Sequence, residues 1–303
     1  MIRIRDSRYT AGGNNDREVS RPNGGCRVRE MKAGTLYIVA TPIGNLEDIT
    51  IRALRVLKEA DLVACEDTRR ARILLTRHTV RAKLVSYYGA KEKEKARELM
   101  RHLAEGRNIA LISEAGMPGI SDPGSVVVRE AISAGIPVVP IPGPSAAIAS
   151  IAASGLPSDR FVFEGFLPRK VSERKTHLIG LSAEKRTMIF YESPGRLVAT
   201  LVDIETVMGD RRAVVVRELT KIHEEFLRGT IGELIKRLSD REIRGEIVIV
   251  LEGCGEEIDW KKVDIPSFVL KLQEEIGIDR KSAIKLTAQL SGIARSIIYK
   301  GSL

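Results

Sequence analysis

Aromatic residues make up only 4% of the 303-residue chain, too few for a single-stranded nucleic-acid platform built on ring stacking. The three cysteines, Cys26, Cys65 and Cys254, are odd in number, far apart and form no CxxC pair. That pattern argues against a disulfide framework or a cysteine zinc cluster and points to a reducing compartment. Four isolated histidines (His78, His102, His177 and His223) give no HExxH or similar ligand spacing, so no metal site is expected. No apolar run approaches the roughly 20 residues that cross a bilayer, and no hydrophobic signal core follows the basic amino-terminal residues. The cytoplasm is the expected location. The usual phosphate cradles GxxxxGKS/T and GxGxxG are missing, as is the GxSxG elbow. P-loop NTPases, ordinary dinucleotide dehydrogenases and α/β-hydrolases all lose weight accordingly.

What is present is a soluble globular composition, 43% apolar and 29% charged, at a length that suggests two domains with a small appendage. The net charge of +9 leaves a polyanionic partner open, and its distribution is more useful than its sum. Residues 1–33 hold eight basic against four acidic residues, and residues 262–303 hold seven against four. The body between them is nearly neutral, at +2.

Residues 1–33 lack apolar periodicity and, with AGGNND and RPNGG, predict a flexible basic tail. From Leu36 the rhythm changes. Short β-branched runs (36–41, 62–66, 83–87, 108–113 and 136–141) alternate with amphipathic helical segments. Strands apolar throughout, separated by helices, predict a mostly parallel sheet covered on both faces, an α/β domain over 34–155. A second α/β domain follows over 156–255, with strands at 160–167, 186–193, 211–219 and 246–253 and a sheet that could be mixed. The segment 217–229 mixes both charges and reads as an exposed loop. Residues 262–303 predict three short helices, either a helix-turn-helix-like RNA-binding unit or a helical cap or dimer element.

Three Gly/Pro-rich loops directly follow strands: TPIGN (41–45), SEAGMPGISDPG (113–124) and PIPGPSAA (140–147), where Ser145 suits a helix N-cap. In open α/β sheets ligands bind beyond the carboxyl ends of strands, so these loops predict one small-molecule cleft. With no lysine nearby, the ligand is expected to be held by backbone rather than to be a polyphosphate. CEDTR (65–69) offers two carboxylates and an arginine at a strand end. They could orient a hydroxyl, or Asp67 could simply cap a helix and pair with Arg69. GFLPRK (165–170), followed by Glu173, Arg174 and Lys175, suits phosphate contacts or a solvated helix start. YESPGR puts Tyr191 and Glu192 at another strand end.

In their order and spacing, TPIGNLEDIT, CEDTR, SEAGMPGISDPG, PIPGPSA, GFLPRK, YESPGRL, RELTKIHEE and RGEIVIVLEG resemble the bacterial 16S ribosomal RNA (cytidine-2′-O)-methyltransferase family. That family is a branch of the tetrapyrrole (corrin/porphyrin) methylase superfamily, and the resemblance runs from about Gly34 to Leu303. It implies two α/β domains of that type with S-adenosylmethionine in the cleft between them. It also implies methylation of a decoding-region cytidine in 16S rRNA, on an assembled or nearly assembled small subunit, by a homodimer.

By the superfamily pattern, cofactor contacts fall on Pro42, Ala115, Gly116, Met117, Ile120, Ser121, Ser145, Ala146, Tyr191, Leu219 and Glu246. Three positions depart from the pattern: Glu114 stands where Asp is expected, Met117 where Thr is, and Gly195 where His is. Because a ribose hydroxyl is a weak nucleophile, a carboxylate that takes its proton would help. Glu66, Asp67 and Glu192 are the candidates, with Arg69 orienting a carboxylate or binding phosphate, and Asp67→Asn is expected to lower turnover. RNA contacts are expected at Arg169, Lys170, Arg174, Arg280, Lys281 and Lys285. Two other readings are a methyltransferase of the same fold acting on a tetrapyrrole or protein, and a non-enzymatic RNA-binding module.

Overall fold

The computed structural model describes residues 33–255, 260 and 263–301. The basic tail expected at the amino terminus therefore lies, up to residue 32, outside the described residues.

The first sheet is wholly parallel, in the order β3-β2-β4-β1-β5. Its strands are β1 (Leu36–Val39), β2 (Leu62–Cys65), β3 (Leu84–Ser86), β4 (Ile109–Ile112) and β5 (Val138–Ile141). Helices α1 (Ile51–Glu59), α2 (Thr68–Arg77), α3 (Glu92–Ala104), α4 (Ser125–Ser133) and α5 (Ala146–Ser154) follow the strands. The central strands β1, β2 and β4 are apolar at every position because both faces are covered. Val39, Val63 and Ala110 pack against Leu57 of α1 and Leu74 of α2. On the other face Leu36, Leu62 and Leu111 meet Leu99 of α3 and Val127 of α4. Each leucine or isoleucine fully buried this way contributes about 1.5–3 kcal/mol.

Helix α5 behaves differently. Its apolar residues Ala147 and Ile151 pack on Ile189, Val214, Val216 and Val250 of the second sheet. That sheet comprises β6 (Phe161–Phe166), β7 (Thr187–Glu192), β8 (Arg212–Arg217), β9 (Glu225–Thr230) and β10 (Ile247–Leu251), in the order β6-β7-β10-β8-β9. Only β6 and β7 run parallel; the remaining pairs are antiparallel, so the sheet is mixed. Its opposite face is covered by α6 (Val171–Gly180), α7 (Leu197–Met208) and α8 (Ile231–Leu238).

One element departs from the sequence reading. The stretch 217–229 is not simply an exposed loop: its second half forms the edge strand β9, paired with β8 from Arg212↔Thr230 to Arg217↔Glu225. Its charges are consumed across the ladder, where Glu225 binds both Arg217 and Arg241. Thr230 then starts α8 with a reciprocal capping box to Glu233.

Beyond the sheets lie α9 (Ile265–Ile276), α10 (Arg280–Ser291) and α11 (Arg295–Gly301). Val269, Leu272, Ala283, Ile284, Leu286 and Ile298 form their core and pack on Ile179 of α6. Among the described residues, no helix is long and apolar enough to cross a membrane.

Candidate active site

In the first sheet the loops after β1, β2, β4 and β5 open on the same side, because parallel strands all end at one edge. Backbone pairing locks two of them together. Thr41 N donates to Gly116 O at 2.9 Å and Gly116 N donates to Thr41 O at 3.1 Å. The Ser113 hydroxyl adds a 3.1 Å bond to Gly116 O. Gly116 takes φ +76°, a conformation that costs other residues about 1–2 kcal/mol.

Between these loops and the ends of β7, β8 and β10 lies a cleft of 410 Å³, within the size range of small-molecule sites. Of the eleven positions expected to contact a cofactor, ten line it: Ala115, Gly116, Met117, Ile120, Ser121, Ser145, Ala146, Tyr191, Leu219 and Glu246. Pro42 instead lines a neighbouring pocket of 180 Å³, together with Glu66, Asp67 and Arg70. Ser145 stands at the N-cap position of α5, but its side chain makes no capping hydrogen bond. Tyr191 is fixed by edge-to-face contacts with Phe163 and Phe166 at 4.9 and 5.6 Å. Burial raises the pKa of its phenol. Met117 is half-buried and packs with the core beneath α3 and α4; Gly195 lies in open space beside the cleft residue Pro194.

Among the described residues no lysine or arginine lines the cleft, whereas four carboxylates do: Asp122, and Glu114, Glu192 and Glu246, which pair with Arg70, Arg196 and Lys221 respectively. Such a wall suits a ligand carrying positive charge and would repel a polyphosphate.

The carboxylates divide by environment. Glu192 is buried, and both its oxygens are taken: Ser193 N and Oγ donate to Oε1, while Thr200 Oγ1 and Arg196 reach Oε2. It organises the end of β7 rather than standing ready for a proton. Asp67 is the N-cap of α2, accepting from Arg69 N at 2.7 Å and pairing with the exposed Arg69 guanidinium at 2.9 Å. Those bonds hold its pKa at about 2, so it is a weak proton acceptor. The helix-cap alternative for CEDTR is the one the structure shows.

Asp122 is the residue that sequence reasoning missed. Burial, then the nearby Glu66 and Glu114, raise its pKa from 3.8 to about 6, against an opposing Ser113 hydrogen bond. Burial and Glu114 raise Glu66 in the same direction. Asp122 and Glu114 were both visible in SEAGMPGISDPG, the loop after β4, but Glu66 follows β2 and joins them only in space.

Of the expected RNA contacts, Arg169, Lys170, Arg280, Lys281 and Lys285 are exposed. Arg174 is not. It is 4% exposed, and its guanidinium donates to Asp203 of α7 at 2.7 Å and to Arg169 O at 3.4 Å. It is a buried structural cation and is removed from the RNA-facing set.

Two five-stranded sheets, one parallel and one mixed, with a cleft between their loop ends define the class, a two-lobed α/β protein with a small-molecule site. Residues 35–235 match the family model for Tetrapyrrole (Corrin/Porphyrin) Methylases. Similar relatives include "Ribosomal RNA small subunit methyltransferase I" from Halalkalibacterium halodurans, 46% identical over 88% of this chain and 93% of its own. The protein of the same name from Escherichia coli O157:H7 is 46% identical over 89% of this chain and 95% of its own. Among solved structures, uroporphyrin III C-methyltransferase from Thermus thermophilus shares the fold, with a TM-score of 0.54 and 21% identity, over 72% of this chain and 97% of that one. The chain therefore belongs to the tetrapyrrole methylases and, within them, to the ribosomal RNA small subunit methyltransferase I family.

Proposed function

We infer that the protein is an S-adenosylmethionine-dependent methyltransferase that modifies the 2′-hydroxyl of a decoding-region cytidine in 16S rRNA. The observation that carries this reading is the cleft itself, walled by carboxylates and backbone with no lysine or arginine among the described lining residues, in a chain 46% identical to rRNA methyltransferases over most of its length. S-adenosylmethionine fits that wall, because its sulfonium and ammonium groups are positive. Ala115 to Met117, Ser145, Ala146 and Tyr191 would hold it.

When bound, the cofactor supplies a methyl group already activated on sulfur. The chain then has to align the acceptor oxygen and exclude water. It also has to take the hydroxyl proton, for which a group near neutral pH is best suited. Asp122, in the cleft wall, meets that requirement; burial, and after it Glu66 and Glu114, keep its proton affinity high. Glu192 positions the strand end that carries Tyr191. The working substrate in this reading is an assembled or nearly assembled small subunit, and the enzyme acts as a homodimer. Light scattering on the purified protein tests the dimer; a monomeric mass would oppose it.

The test of the reaction is incubation with labelled cofactor and small subunits from a strain lacking the modification. Label on one 2′-O-methylcytidine is the expected result. Label on a porphyrinogen or a protein, with none on RNA, would give the site to the alternative substrates.

A further inference from the structure

Within the nearly neutral body, residues 68–83 hold Arg69, Arg70, Arg72, Arg77, Arg81 and Lys83 and not one carboxylate. Helix α2 begins this stretch. Its Ala71, Leu74 and Leu75 are buried against the first sheet, which turns all four helical arginines outward. Arg81 and Lys83, on the connection to the edge strand β3, are exposed as well.

Several surface arginines elsewhere in this chain are matched to carboxylates, although Arg52, Arg97, Arg101 and Arg129, spread over α1, α3 and α4, are in no ion pair among the described residues. Arg186 pairs with Glu184, Arg212 with Glu252, Arg241 with Glu225 and Arg244 with Glu242. On this stretch Arg69 pairs with Asp67 and Arg70 with Glu114. Arg72, Arg77, Arg81 and Lys83 have no carboxylate within ion-pair reach among the described residues. Folding does not call for this arrangement. Arg69 and Arg72 repel at i,i+3, costing a few tenths of a kcal/mol, and arginines in the first turn oppose the helix dipole.

Position supplies the reason. Arg70 bonds Glu114 at 2.7 Å, and Glu114 lines the cleft, so the amino end of α2 stands at the cleft mouth. At its far end Arg77 faces an open concavity shared with Asn45, Thr220, Lys221 and one carboxylate, Glu47, where loops of the two sheets meet. Ile73, 65% exposed, sits between the arginines as an apolar contact for a ribose or base.

We propose that the outer face of α2, continued by Arg81 and Lys83, is the surface on which the phosphodiester backbone of the substrate RNA docks as it enters the cleft. The proposal rests on the rRNA-methyltransferase reading above and adds a second phosphate-binding surface to the exposed cations around Arg169 and Arg280.

The test is the quadruple variant R72Q/R77Q/R81Q/K83Q, which keeps side-chain length and helix propensity at exposed positions. Methylation of small subunits is measured between 50 and 200 mM KCl, with cofactor affinity measured by calorimetry. The expected result is unchanged cofactor affinity, a kcat within about twofold, and a KM raised about 60-fold or more at 50 mM salt. Each lost phosphate contact removes about 0.7–0.9 from the slope of log affinity against log salt. The slope should therefore fall by about 3, so the wild type's advantage shrinks about 60-fold across that salt range. An unchanged KM and slope would overturn the proposal. A raised KM with an unchanged slope would overturn it too, assigning the face to a ribosomal protein. If the wild type modifies no RNA at all, the functional reading fails first. Filter binding of a small-subunit RNA fragment then judges the surface alone, and equal binding by both proteins rejects it.

Discussion

Replacing Asp122 by asparagine should slow the enzyme and stabilise it, and both effects have a defined pH dependence. Folding raises the carboxyl from 3.8 to about 6, through burial and the Glu66 and Glu114 charges. The native state therefore holds this proton more tightly than the unfolded chain does. The ionised carboxylate imposes no penalty below about pH 4; the penalty grows between pH 4 and 6 and is complete above 6. Two pKa units correspond to about 3 kcal/mol. Because the side chain is only half-buried, solvent screening reduces that to about 1–2 kcal/mol. Asp122→Asn should gain that amount in urea unfolding at pH 8 and nothing near pH 4. Wild-type kcat/KM should fall as pH drops through about 6, and the variant should lose that limb along with at least about tenfold of its rate at pH 8. A variant no more stable at pH 8, with the wild-type pH profile, would refute both the strained carboxylate and its role as proton acceptor.

Three further outcomes follow from the same geometry. Arg174→Gln strands the buried Asp203 carboxylate, which should cost about 3–5 kcal/mol in urea unfolding. Lys175, 3.9 Å from Asp203, should hold the loss near the lower end, and an unmoved midpoint would contradict the buried pair. Asp67→Asn keeps a competent N-cap on α2, so single-turnover rates should stay within about threefold of wild type; a collapse in rate would restore Asp67 as a catalytic candidate. Gly116→Ala forces an alanine to φ +76° and should cost about 1–2 kcal/mol. It should also weaken cofactor binding in calorimetry, since the strained residue forms the cleft wall; unchanged affinity would contradict that placement.

Much of the fold was legible because the signals were local. The apolar strands and the Gly/Pro loops after them identified a doubly covered parallel sheet with a cleft at its loop ends, while the family resemblance supplied the eleven cofactor positions, ten of which line that cleft. What was hidden depends on partners distant in sequence. Strand β9 reads as a charged loop because the residues that neutralise Glu225 come from β8 and from Arg241. Arg174 reads as a phosphate contact because Asp203 lies 29 residues away on another helix. Asp122 acquires its proton affinity from burial in the folded cleft first, then from Glu66 at the end of another strand and from Glu114 of its own loop. The basic run from Arg69 to Lys83 was in plain view, but its outward direction needed the buried face of α2 to be known.

The most direct test of the account is mapping of 2′-O-methyl groups in small-subunit RNA after unmodified subunits are incubated with the purified enzyme and S-adenosylmethionine. The account predicts one new 2′-O-methylcytidine in the decoding region, absent when Asp122→Asn replaces the wild type under single-turnover conditions at limiting time. No new ribose methylation, or methylation of a base instead of a ribose, would contradict it.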